Sequence, residues 1–214
     1  MTTIKSLEKE GLYEFHKWKN QLLIADKIIS ILIIIFLGIF RPDYVVIASY
    51  FLLIPYIVLT QRKILLYHLI VASSIAIIWM LIAKKEYGYN QDFITILGIN
   101  LYPLFAWAIG LLVTYVIYSH YEHILREPTF TKKIVLFILF YWPLLIAVET
   151  IAYHLLNIHN LATALYAALP VCDCIHAPRW MQIAYLSMGP IFFIICHLLK
   201  LENPHSKILR KAKV

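Results

Sequence analysis

Six long apolar runs, separated by short polar connectors, restrict this chain to few folds. They cover about 22–40, 43–60, 64–83, 93–118, 133–156 and 180–200. Crossing a hydrocarbon layer of ~30 Å takes roughly 20 helical residues, and each run is that long or nearly so. In lipid every backbone N–H and C=O must be satisfied within its own segment, so such runs form helices. A β-barrel needs alternation over about ten residues, and "IISILIIIFLGIF" and "KKIVLFILFYWPLLIAV" do not alternate. At 62% hydrophobic and 14% charged, the chain would expose far too much apolar surface in water. The expected fold class is therefore all-α: a polytopic integral membrane protein with six transmembrane helices, in the cell membrane.

The order of segments follows. Residues 1–21 are expected to be a cytoplasmic or interfacial leader, 22–200 the six-helix bundle, and 201–214 a basic tail. In the leader, Ser6, Glu8 and Glu10 suit the start of a helix, and Leu12, Phe15, Trp18 and Leu22 fall near one face. Gly11 weakens that helix. The polar stretch before the first run, with no small-x-small site after it, reads as a retained span rather than a cleaved signal.

Basic residues set the expected orientation. The leader, the 2–3 and 4–5 loops, and the tail together with Lys200 before it hold fourteen Lys and Arg between them. The opposite loops hold four: Arg41, Lys84, Lys85 and Arg179. Lys and Arg accumulate in cytoplasmic loops, so both termini are expected to be cytoplasmic. The same asymmetry accounts for the net charge of +7 without nucleic acid, which is not an expected partner. The tail "HSKILRKAKV" suits anionic headgroups, making membrane lipids the expected partners.

Polar groups inside the runs carry the functional expectation. Glu149 is an acid well within span five. A charge near the bilayer centre costs ~2.5–3.5 kcal/mol, so Glu149 should face the bundle, paired or protonated. Counting ~1.5 Å per residue sets it ~10 Å below the outer interface. Asn100, Tyr102, Tyr153, His154, Gln182, Tyr185 and Ser187 fall in the same outer half. The long loop before Arg179 lies above them, bringing Asp173, His176 and Arg179 to the mouth of any pocket. The bland alternative makes Glu149 interhelical glue with Asn100 or a tyrosine. Prolines 55, 103, 143 and 190 fall one in each of spans two, four, five and six, where each can kink its helix.

The loop motif "ALPVCDCIHAPRW" admits three readings. Cys172 and Cys174 could be free thiols in a structural turn, a disulfide, or weak metal candidates with His176 and perhaps His159. Their C-x-C spacing is not the C-x2-C usual for zinc. "LATALYAAL", just before, is apolar enough for a short interfacial helix. At the inner end, His68 and His197 lie at similar depth, the arrangement a bis-histidine haem would need. No Gly-rich phosphate loop, G-x-S-x-G or H-E-x-x-H occurs, and no cofactor is expected.

These residues support one leading expectation: an enzyme for a lipophilic small molecule, such as an isoprenoid or other lipid, taken from the outer leaflet. Glu149 would act as general acid, with His154 or Asp173 as base. The alternatives are a non-catalytic subunit of a membrane complex, a small-solute or proton-coupled carrier, and, last, a haem-binding electron-transfer protein.

Overall fold

The computed structural model describes residues 2–125, 127–201 and 203–205, with side chains from Gln21 onward. Six helices form it: α1 (Thr2–Ile39), α2 (Pro42–Leu59), α3 (Ile64–Ala83), α4 (Leu101–Tyr121), α5 (Phe130–Thr150) and α6 (Arg179–Leu198). Each contains a stretch long and apolar enough to cross a membrane. The leader continues into α1 without a break; the side-chain face expected there and the tail at 206–214 lie outside the described residues.

α4 is the central post, packed against α2, α3 and α5, while α6 closes against α3 and α5. Half of its apolar window is buried, against none of that in α1. Isoleucines and leucines cover the outer faces, among them Ile24, Leu52, Ile70, Leu81 and Leu139. The bundle end carrying the α3–α4 and α5–α6 connections is called distal below. The other is the terminal end.

Helix starts have local causes. Pro42 opens α2 at a position where its missing N–H costs no bond. Thr129 Oγ1 caps α5 by accepting from Lys132 N. α4 begins later than its apolar run, because Asn100 Oδ1 accepts from Tyr102 N at 3.0 Å and caps it. Residues ahead of the cap form a minimal hairpin instead, β1 (Thr95–Ile96) and β2 (Ile99–Asn100), so the chain is not wholly helical. Its two-residue turn has Leu97 at φ 52° and Gly98 at φ 74°, the left-handed pair that tight hairpins require. The late start also moves Pro103 into the first turn of α4, where it breaks no bond.

Ion pairs tie the two ends. At the distal end, the buried Asp43 carboxylate accepts from Arg41 Nε (2.9 Å), Tyr44 N (3.0 Å) and Ile94 N (2.9 Å). It thereby fastens the α1–α2 turn to the hairpin. At the terminal end, Asp26 of α1 receives both Arg62 nitrogens (2.7 and 3.0 Å), the Tyr56 hydroxyl (2.8 Å) and His120 Nε2 (2.9 Å). Arg62 is only 3% exposed. Burial opposes its charge, but the Asp26 hydrogen bonds prevail and raise its pKa. Beyond α6, Asn203 Nδ2 donates to Ser119 O (3.0 Å), and His205 stacks on His120 at 4.0 Å. This docks the chain back on α4.

The two distal connections are zipped together. Asn90 N donates to His159 O, and Asn90 Oδ1 accepts from His159 N. Asn160 accepts from Gly88 N at 3.0 Å and donates to Glu86 O at 2.7 Å. Leu161 N and Ala162 N both donate to Gly88 O. With its backbone committed to that loop, "LATALYAAL" makes only one 3-10 turn, Leu161–Thr163, and not the expected interfacial helix.

Candidate functional site: a distal cavity around Glu149

A cavity of about 200 Å³ lies in the distal half between α4, α5 and α6, roofed by the zipped loops. Helical spacing explains its walls. Ala106, Gly110 and Val113 recur on one face of α4. Leu145, Val148, Glu149 and Ala152 recur on one face of α5. The small α4 residues leave the space that larger ones would fill. Gly110 and Val148 line the cavity and are also exposed, so it opens sideways on the α4–α5 flank. A Cβ at Gly110 would meet nothing within 4 Å.

The lining is aromatic and lacks cations. Tyr87, Tyr89, Tyr102, Trp107, Tyr141 and Tyr185 contribute, with no Lys or Arg. Glu149 projects among them without a hydrogen-bond or ion-pair partner among the described residues.

A hydrogen-bonded hub sits behind it. Tyr87 Oη lies 2.8 Å from Trp79 Nε1, 3.1 Å from Trp107 Nε1 and 2.8 Å from Tyr185 Oη. The α5–α6 contact below is set by backbone chemistry. Pro190 has no N–H to offer the Leu186 carbonyl, and Trp142 Nε1 donates to it at 3.0 Å instead. One residue back, the Tyr141 hydroxyl donates to Tyr185 O at 2.5 Å. Its ring can approach because position 189 is glycine: a Cβ there would lie 2.4 Å from the ring.

The expected site residues divide in two. Glu149, Tyr102, Tyr153, Tyr185 and His176 line the cavity together. The others do not. Asn100 caps α4. Gln182 Nε2 donates to Ala167 O (2.9 Å) and Ile175 O (3.2 Å), anchoring the loop. Ser187 bonds Ile183 O in its own helix, and Arg179 is exposed at the start of α6. His154 is exposed, with Nε2 donating to Cys172 O at 3.1 Å. Asp173 is exposed on a left-handed backbone, φ 46°.

A π-helical turn, Ile151–Leu155, continues α5 and carries Tyr153 and His154. Tyr153, four residues on from Glu149, enters the same wall, while His154, one residue further round, faces out. Tyr153 stacks between His159 at 4.2 Å and His176 at 5.1 Å. His176 Nδ1 donates to Tyr166 O at 3.0 Å, which leaves Nε2 as the acceptor of a neutral ring.

Of the three readings of the cysteine motif, the structure has the disulfide, Cys172–Cys174. Cys174 is buried in the cavity wall, 3.9 Å from Thr150 Oγ1. Disulfide sulfurs are not the thiolates a metal takes. Among the described residues no group of three His, Cys, Asp or Glu is placed to hold a metal ion. The two histidines considered for haem stack on different rings, His68 on Tyr115 at 4.0 Å and His197 on Phe130 at 4.5 Å.

Comparison of the chain with protein-family models, curated proteins and solved structures gives no match. The functional argument therefore rests on this geometry.

Sequence reasoning passed over Tyr87, Trp107 and Tyr141, and it passed over Asp26, a second acid within an apolar run. A usable signal existed in one place. Ala106 and Gly110, one turn apart beside Trp107, form a small-residue notch next to an aromatic. No spacing rule connects Tyr87 to Tyr185, 98 residues apart.

Proposed function

We propose that the chain is a membrane enzyme for a lipophilic substrate of the isoprenoid or other lipid class, with both termini cytoplasmic and the cavity in the outer half. One observation carries this reading: a carboxyl with no partner among the described residues, inside an aromatic cavity that opens on the flank of the bundle. Structural acids in a low-dielectric interior are paired, because an uncompensated one costs stability. Retaining one here makes sense if a ligand completes it. A sideways mouth suits a molecule that arrives through lipid rather than through water.

Glu149 is the general acid in this reading, passing a carboxyl proton to the bound substrate. His176 is the imidazole that lines the cavity, and its Nε2 lone pair suits it to the base role. His154 and Asp173 lie outside the wall and are not assigned that role.

The test begins with lipid extracted from purified protein and identified by mass spectrometry, to name the substrate. Turnover of that molecule is then compared between wild type and Glu149→Gln. The isosteric amide keeps the shape and loses the transferable proton. The expected result is an unchanged melting temperature with turnover reduced about 100-fold or more. Equal turnover in the two proteins would exclude Glu149 as the acid.

A further inference from the structure

We infer that the ligand of this cavity carries a single uncharged oxygen acceptor of the ketone type, and that the Tyr185 hydroxyl binds it. The inference rests on the reading of the cavity as a lipophilic site, and adds which chemical group the site recognises.

The argument is one of hydrogen count. A tyrosine hydroxyl has one hydrogen to give and two lone pairs to receive with, and an indole Nε1–H can only give. Tyr87 Oη receives from Trp79 Nε1 and from Trp107 Nε1, which fills both lone pairs. Its third neighbour, Tyr185 Oη at 2.8 Å, cannot then donate to it. Tyr87 must donate to Tyr185. The Tyr185 hydrogen is thereby released from the hub, and it meets no acceptor among the described residues. Tyr185 is only 6% exposed, and it lines the cavity. A buried hydroxyl with nothing to donate to is costly. The cavity is where its acceptor can arrive.

Three further facts define that acceptor. The two indoles and Tyr87 form a chain of donors behind Tyr185, which polarises each link and strengthens the last. This is the arrangement that favours an oxygen gathering negative charge. With no Lys or Arg in the lining and Glu149 present, a carboxylate or phosphate has no counter-charge there. The aromatic wall suits a hydrocarbon body. An apolar molecule with one carbonyl oxygen satisfies all three.

Trp79 acts at a distance. It does not line the cavity, yet its N–H helps force the direction of the Tyr87–Tyr185 bond. Without it, Tyr87 has a lone pair to spare, and Tyr185 can turn its hydrogen back into the hub. Trp79 is thus a positioning residue.

The test uses the full chain in lipid nanodiscs and two probes: an isoprenoid methyl ketone labelled with carbon-13 at its carbonyl, and the hydrocarbon in which a methylene replaces that carbonyl. The ketone is expected to bind about tenfold tighter than the hydrocarbon. Its bound C=O stretch should lie below that of the same ketone in protein-free nanodiscs. Tyr185→Phe should remove both differences and leave hydrocarbon binding intact. Trp79→Phe should shrink the C=O displacement without altering hydrocarbon binding. Should Tyr185→Phe fail to fold, the wild-type comparison of the two probes decides. Equal binding of both probes by wild type, or a displacement that survives in Tyr185→Phe, overturns the carbonyl assignment and leaves the lipophilic site standing. Binding of neither probe overturns both.

Discussion

Glycine 189 is where one missing side chain holds two helices and the hub in register. The Tyr141 ring occupies the space a Cβ would take, and its hydroxyl holds the Tyr185 carbonyl. Gly189→Ala should push that ring out and cost about 1–3 kcal/mol, read as a lower melting temperature. An unchanged melting temperature would show that the ring is not wedged there. Glu149 runs the other way. Glu149→Leu removes an unpartnered polar group from an apolar wall, so it should raise stability by about 1–3 kcal/mol while abolishing turnover. A destabilised Leu variant would mean that Glu149 has a structural partner. Glu149 was legible in the sequence because a mid-span acid is costly anywhere. Depth counting also reached Tyr153 and Tyr185. It could not assign facing between helices, because height along one helix says nothing of which way a residue on another helix points: Gln182 and Ser187 share that depth yet lie outside the lining. Asp26 escaped notice because its partners Tyr56, Arg62 and His120 come from three separate stretches of chain.

At the scale of elements, the gap between α4 and α5 is the feature the proposed function uses, and the Asp26 cluster is a structural one. Gly110→Phe has room to be accommodated, since nothing surrounds a Cβ there, and its ring would fill the mouth. The variant should fold with a wild-type melting temperature and lose ligand uptake, measured with the ketone probe. Unimpaired uptake would place the entrance elsewhere. The Asp26 cluster joins α1, α2, the α2–α3 turn and α4. Arg62→Ala would leave Asp26 short of its main counter-charge and should cost about 3–5 kcal/mol. A loss below ~1 kcal/mol would show that water screens the pair as at a surface. Four of the six apolar runs match their helices closely, since hydropathy and length alone set them, and the first is the C-terminal half of a helix that starts at Thr2. The fourth does not, because residues 93–100 are apolar enough to extend a helix, yet Gly98 and the Asn100 cap turn them into a hairpin.

Across the whole molecule, the two ends are built differently. The terminal end is cross-linked by the Asp26 charge cluster, and the distal end by Asp43 together with backbone and amide hydrogen bonds around a small disulfide. That disulfide closes over a single residue, Asp173, so it restrains little chain. The loop is also held by Gln182 and His176. Mild reduction should therefore expose two thiols to labelling and lower the melting temperature only slightly; collapse of the distal end on reduction would contradict this. In the proposed reading, the zipped roof closes the site to water and the sideways mouth opens it to lipid. This arrangement is tested most directly by counting apolar molecules that stay with the purified protein, using native mass spectrometry of wild type and Gly110→Phe from the same host. One apolar molecule per wild-type chain, absent from Gly110→Phe, is the expected result. No bound molecule in either protein, or the same molecule equally retained by both, would contradict it.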